Sequence, residues 1–156
     1  MTNQKTLIIC SSTHHGSTLK VAKEIAQELG AVIMTPEEVN EDSPSNYDLI
    51  GFGSGIYDQK HHKSLFALVE KIKPQDKKKA FVFSTNTFGI KMLHKPLIEK
   101  LNKKGFVVTG EFACKGFMDF SFTKYLFGGI NKTRPDKNDL KKAREFSKEL
   151  LRLLAI

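Results

Sequence analysis

The sequence predicts an α/β fold: a three-layer sandwich with a five-stranded parallel sheet, strand order 2-1-3-4-5, and helices on both faces. Two observations predict it. Short apolar runs alternate with amphipathic segments five times along the chain. Those runs are apolar through their middles, as strands covered on both faces must be. Parallel neighbours need crossovers, and the intervening helices supply them with the right-handed connection that sheet twist favours. All of residues 1–156 read as a single domain, long enough to bury a core.

The first strand is the apolar run at 6–10, followed by a hydroxyl-rich turn with one glycine over 11–18. The first helix follows, with Val21, Ile25 and Leu29 recurring every four residues and Ala22 and Ala26 on the same face. Gly30 stops it, and 31–34 is a short second strand, suited to a sheet edge. Residues 35–45 form a polar, acidic loop with two prolines, and 47–54 is the third strand. After a loop at 55–63, Leu65, Leu68, Val69 and Ile72 mark one helical face. The fourth strand is 80–84, followed by a loop at 85–89. Pro96 belongs in the first turn of a helix that buries Leu97, Ile98 and Leu101 and ends at Gly105. The fifth strand is 106–113, and an irregular aromatic stretch covers 116–135. The last helix opens near Asp136 with Leu140, Ala143, Phe146, Leu150 and Leu154 on its buried side.

Composition narrows the class. With 40% hydrophobic and 27% charged residues the chain reads as globular, and its N-terminus fits neither a signal peptide nor a membrane span. Cytoplasmic location is the expectation. Cys10 and Cys114, the only cysteines, are expected to be small buried side chains rather than a disulfide framework. The net charge of +8 suits an acidic protein partner, nucleic acid or an anionic membrane surface. The lysines are spread along helix ends and loops without interleaved aromatics, so no nucleic-acid partner is expected.

In the order 2-1-3-4-5 a ligand belongs at the carboxyl ends of strands one and three. The chain places three loops there: 11–18, 54–58 and 85–89. The first carries five hydroxyls, and no acid lies between Lys5 and Glu24, although acids usually enrich a helix's first turn. A helix N-terminus of this kind is an anion site. A plain Ser/Thr cap accounts for the same residues equally well. The other two loops carry glycines that admit close backbone approach, and one aromatic each, Tyr57 and Phe88. A flat ring with a phosphate tail fits such a set.

Competing readings fail on particular residues. A receiver domain needs acids just after strand one to hold magnesium, and 11–18 has none. A P-loop needs Gly-Lys-Ser/Thr there, which is absent. Gly51-x-Gly53-x-Gly55 has the wrong spacing for a dinucleotide fingerprint and lies mostly inside a strand. His14-His15 and His61-His62 sit on loops that should be neighbours, yet no carboxylate or thiol has clear ligand spacing, so they read as a polar rim and no metal is expected.

The run Thr13-His14-His15-Gly16-Ser17-Thr18 resembles the flavodoxin phosphate loop, with His15 where a threonine is common. Gly-Ser-Gly-Ile-Tyr at 53–57 and Ser-Thr-Asn-Thr-Phe-Gly at 84–89 resemble that family's two ring-binding loops, and 114–117, 128–132 and 134–136 resemble a short-chain subgroup. The resemblance implies a flavodoxin-like fold and noncovalent FMN. It puts the phosphate at Gly16, Ser17 and Thr18, with Ser12, Thr13, His14 and His15 in the same loop. The ring then falls between Ser54, Gly55, Ile56 and Tyr57 on one side and Thr85, Asn86, Thr87, Phe88 and Gly89 on the other. No side chain is expected to act as a nucleophile. The resemblance implies electron transfer between redox partners, and the lysines of this chain would dock on an acidic one. The alternative is a flavin-dependent oxidoreductase acting on a quinone, porphyrinogen or NAD(P)H, in which 117–127 is either a substrate lid or a loop packed on the core.

Overall fold

The computed structural model describes residues 4–12, 16–116 and 133–155. In chain order the elements are β1 (Thr6–Ser11), α1 (Ser17–Leu29), β2 (Val32–Met34), β3 (Leu49–Tyr57) and β4 (Lys60–His61). There follow α2 (Lys63–Lys71), β5 (Lys78–Asn86), α3 (Lys95–Lys104), β6 (Phe106–Lys115) and α4 (Lys137–Leu154). The five long strands are parallel and lie in the order β2-β1-β3-β5-β6, with β2 at the edge, as the alternation predicts. The small β4 is an addition, paired antiparallel to the end of β3.

Two apolar layers flank the sheet. On one face Ile8, Phe81, Phe83 and Phe112 pack with Val21, Ala22 and Ile25 of α1 and Ala143 and Leu150 of α4. On the other, Leu7, Ile9, Ile50, Phe52 and Val82 pack with Leu65, Leu68 and Val69 of α2 and Leu97 and Leu101 of α3. The expected inward side of the last helix holds, though Leu140, Phe146 and Leu154 are partly buried rather than fully enclosed. That helix opens on Asp136, whose carboxylate accepts from the Asp139 amide while Asp139 accepts from the Asp136 amide. Gly30 and Gly105 end α1 and α3 in the left-handed conformation, with φ of 64° and 102°.

The glycines of β3 have a packing role. Gly51 and Gly53 stand beside Phe81 and Phe83 of β5 in the parallel register. A Cβ on either would overlap its partner's ring. Phe81 and Phe83 are fully buried and stack at 6.1 Å, and Phe81 meets Phe146 at 5.9 Å, so neither ring has room to withdraw.

Strand boundaries differ from expectation at the functional end. β3 continues past residue 54 to Tyr57, and β5 reaches Asn86 because Thr85 and Asn86 pair with Cys114 and Lys115. The extension of β3 is stabilised by β4 through the pairs Ile56–His61 and Tyr57–Lys60. The connecting turn puts Asp58 and Gln59 at φ of 49° and 65°. Tight hairpins favour that geometry, but the turn lacks the glycine that usually announces it. The loop at 35–45 contains a 3-10 turn at Pro36–Glu38, and a second, Ser43–Asn46, begins within it.

Substituting Gly53→Ala will destabilise the fold by about 1–3 kcal/mol, measured by urea unfolding. Adding Phe83→Leu to that variant will recover part of the loss. If Gly53→Ala unfolds like the parent, the ring does not depend on the missing Cβ.

Candidate functional site

The parallel register brings the carboxyl ends of three strands to one level. Ser11 of β1 stands beside Ser54 of β3, and Ser54 beside Ser84 of β5. The segments leaving this level are the three the sequence singles out.

At β1 the chain enters α1 through Gly16, whose φ of 69° lies in the left-handed region. Gly16 itself offers no side-chain cap, and no acid occupies the first turn to offset the positive end of the helix dipole. Among the described residues a Cβ on Gly16 would meet no atom within 4 Å, and the positive φ is what favours glycine there. Ser12 Oγ accepts from the Leu19 amide at 3.3 Å. The Thr18 hydroxyl is buried against that of Thr85 at 2.8 Å, tying the start of α1 to the end of β5. Gly116 sits in the same seam, where a Cβ would fall 2.7 Å from Thr85 Cβ and 3.2 Å from Ser17 Cβ. Thr13, His14 and His15 lie outside the described residues.

At β3, Ser54 is fully buried and its hydroxyl is committed within the protein. It contacts the Gly55 carbonyl at 2.6 Å and His61 Nδ1 at 2.9 Å, and accepts from the His62 amide at 2.9 Å. Gly55 and Tyr57 are half-buried, and Ile56 is inside. The Tyr57 ring meets His62 edge-on at 5.3 Å. His62 in turn opens α2 by accepting from the Ser64 amide at 3.1 Å.

At β5, Asn86 organises the next turn. Its Oδ1 accepts from the amides of Phe88 and Ile90 at 3.2 and 3.1 Å, and its Nδ2 donates to the Ile90 carbonyl at 3.1 Å. Gly89 takes a φ of 65° and lies close to Cys114 and Lys115. Phe88 is 72% exposed, and Met92 and Ile90 are also exposed, with Lys91 and Lys95 beside them.

Two histidines lie beneath these segments. His61 and His94 are buried with ring centroids 5.0 Å apart. Burial, reinforced by His94, pushes the His61 imidazole down to about 3, so it is neutral at ordinary pH. Its Nε2 has no hydrogen-bond partner among the described residues. Burial likewise raises the thiols of Cys10 and Cys114 to about 12, which leaves both protonated and unreactive.

This arrangement agrees with the comparisons to known proteins. The family model described as Flavodoxin domain matches residues 8–106. The chain belongs to the flavodoxin domain family. An uncharacterized protein of Methanocaldococcus jannaschii is 51% identical over 150 residues, covering 95% of this chain and 99% of that relative. Among solved structures, a flavodoxin from the domain Archaea aligns with TM-score 0.69 at 16% identity, over 97% of this chain and 99% of that one. Oxidised Flavodoxin 1 from Bacillus cereus aligns with TM-score 0.65 at 18% identity, over 95% and 97%. Identities this low establish the shared fold alone.

Membership in the flavodoxin domain family implies a flavin cofactor. The residues present fit one. An acid-free helix start entered through a left-handed glycine suits a phosphate, and the exposed Phe88 ring with half-buried Gly55 and Tyr57 suits a flat aromatic edge. The register brings Ser54–Tyr57 and Thr85–Gly89 to one end of the sheet with Gly16, Ser17 and Thr18. The side chains of Ser54, Thr85 and Asn86 bind the protein itself, and all three residues are almost fully buried. Among the described residues no cluster of three or more His, Cys, Asp or Glu is placed to hold a metal, and no helix is long and apolar enough to cross a membrane. The sequence reading missed His94 and Glu111 altogether. Only fold-level contact relates His94 to His61, 33 positions earlier, and no periodicity marks it.

His61 favours the fold only while neutral. Its contribution is complete above the ordinary histidine value of 6.5 and is lost as pH falls from there toward about 3. Unfolding free energy will fall over that range with a slope that His61→Phe reduces by up to about 1.4 kcal/mol per pH unit. Urea unfolding at several pH values checks this; equal slopes would show that His61 already titrates normally.

Proposed function

We propose that this chain binds FMN noncovalently and carries electrons between redox partners in the cytoplasm. The observation that supports it best is the juxtaposition at one sheet end of the acid-free start of α1, the Gly55–Tyr57 strand end and the Asn86-clamped turn bearing Phe88. Bound FMN would supply one- and two-electron transfer. The protein's part is to hold, orient and shield it.

In this reading Gly16, Ser17 and Thr18, with Ser12, Thr13, His14 and His15, hold the phosphate through backbone amides and hydroxyls at the positive end of the α1 dipole. The hydroxyl of Thr18 acts indirectly, through Thr85. Ser54, Gly55, Ile56 and Tyr57 supply one wall for the ring, and Thr85, Asn86, Thr87, Phe88 and Gly89 the other. The buried polar side chains of Ser54 and Asn86 hold those backbones in place. An acidic redox partner would meet Lys91 and Lys95 beside the exposed Phe88 and Met92, where charge steers the encounter and apolar area completes it.

The purified protein mixed with FMN and freed of excess will show a bound two-band visible flavin spectrum, and it will hold FMN more tightly than riboflavin by more than about tenfold. A colourless protein after that treatment overturns the reading. NAD(P)H-driven turnover of a quinone without any added partner would replace the carrier role with an enzymatic one.

The charge of +8 bears on potential. Full reduction adds negative charge to a flavin, and a basic protein opposes this less than an acidic one. The second reduction will therefore occur at a higher potential than in an acidic flavodoxin at low salt, and added salt will lower it as the attraction is screened. Redox titration at two ionic strengths checks the sign; a potential that rises with salt contradicts it.

A further inference from the structure

The hydrogen bonds around His94 admit one proton count while the ring is neutral. Asn86 Nδ2 donates to Ser84 Oγ at 3.1 Å, Ser84 Oγ lies 2.6 Å from His94 Nε2, and His94 Nδ1 lies 3.1 Å from Glu111 Oε1. The Glu111 carboxylate can only accept, so the ring proton sits on Nδ1. Nε2 is then a bare acceptor and takes the Ser84 hydroxyl proton. That leaves the Ser84 oxygen to receive Asn86. Asn86 can therefore point its Nδ2 at Ser84 and its Oδ1 at the amides of Phe88 and Ile90.

A proton added at Nε2 reverses this chain. Nε2–H becomes a donor aimed at Ser84, and the Ser84 proton loses its acceptor in a fully buried place. Asn86 can take that proton only by turning its Oδ1 inward, which withdraws it from Phe88 and Ile90. The turn at 86–90 would then lose its clamp.

Of the two buried histidines, His94 is the one able to take the proton. Its surroundings are Glu111 on β6, His61 on β4, Ser84 on β5 and Lys91 in its own segment. Glu111 attracts a cation there, while burial and Lys91 oppose it and hold His94 below the ordinary imidazole value. Among the described residues His61 has no carboxylate partner, and with the rings 5.0 Å apart a second charge is excluded once His94 carries the first.

We propose that His94 is a positioning residue whose neutral Nε2 holds the 86–90 turn through Ser84 and Asn86, so that acid releases the segment carrying Phe88. The consequence for cofactor binding rests on the FMN reading above; the clamp itself does not.

The test has two arms over about pH 7.5 to about pH 5. In FMN-free protein, NMR hydrogen exchange gives protection factors for the Phe88 and Ile90 amides, with β1 amides as reference. In the second arm, the FMN dissociation constant is measured over the same range. Protection of both turn amides will fall and FMN will weaken, each by up to about tenfold per pH unit below the His94 titration. His94→Gln, which keeps an acceptor for Ser84 but does not titrate, will flatten both profiles relative to the parent. The phosphate's own titration is common to both proteins and cancels in the comparison. Glu111→Gln leaves His94 in place and removes the attracting charge, so it will move the transition to lower pH; it decides the matter if His94→Gln fails to fold. Identical profiles in the parent and the variants overturn the proposal. Loop protection that follows the expectation in a protein that never binds FMN upholds the clamp and overturns the FMN reading instead.

Discussion

The whole arrangement depends on the contact between β3 and β5 at the centre of the sheet. Gly51 and Gly53 leave shallow beds in β3, and the rings of Phe81 and Phe83 lie over them in register. Those rings carry the layer formed by α1 and α4, and the same register sets Ser54 beside Ser84 and Gly55 beside Thr85 at the strand ends. A slip by one residue would exchange the two buried faces of the strand, take Phe81 and Phe83 off the glycines and separate these pairs. Core packing thus sets the level at which the functional segments leave the sheet.

Above that level the protein uses its polar side chains mostly on itself. Ser54 ties β3 to the β4 hairpin, Thr18 ties α1 to Thr85, and Asn86 closes its own turn. Each of these residues is the type that a cofactor site requires, which is why the sequence points to them. Their hydroxyls and amides nevertheless act by fixing neighbouring backbone, so in the proposed FMN site recognition would fall to the start of α1 and the aromatic faces. This is preorganisation: the walls are held by internal bonds rather than assembled by the ligand.

The buried histidines add a second layer to this design. Neutral imidazoles serve as donors and acceptors in the interior at little cost, whereas their charged forms do not. His61 steadies Ser54 beneath one wall, and His94 steadies Ser84 beneath the other, with their rings 5.0 Å apart. The two walls of the candidate site therefore share one support whose hydrogen bonds depend on protonation state.

Much of this was legible in the residues. The alternation of apolar runs and amphipathic segments, the weak second strand and the helix-ending Gly30 and Gly105 suffice for the topology, because each is a local consequence of periodicity or of backbone freedom. The absence of acids before Glu24 made the start of α1 a candidate anion site for the same local reason. The β4 hairpin was not legible, since Asp58 and Gln59 adopt left-handed backbone without glycine and only pairing with β3 makes that worthwhile. The glycines at 51 and 53 read as a failed nucleotide motif until their neighbours across the sheet were seen to be phenylalanines. Least legible was His94, whose partners Ser84, His61 and Glu111 come from three different strands. Sequence by itself determined the fold class and which segments meet at its functional end, because short-range pattern dictates both. Only the tertiary structure decided which polar atoms face outward and which bind the protein, because that choice is made by neighbours distant in the chain.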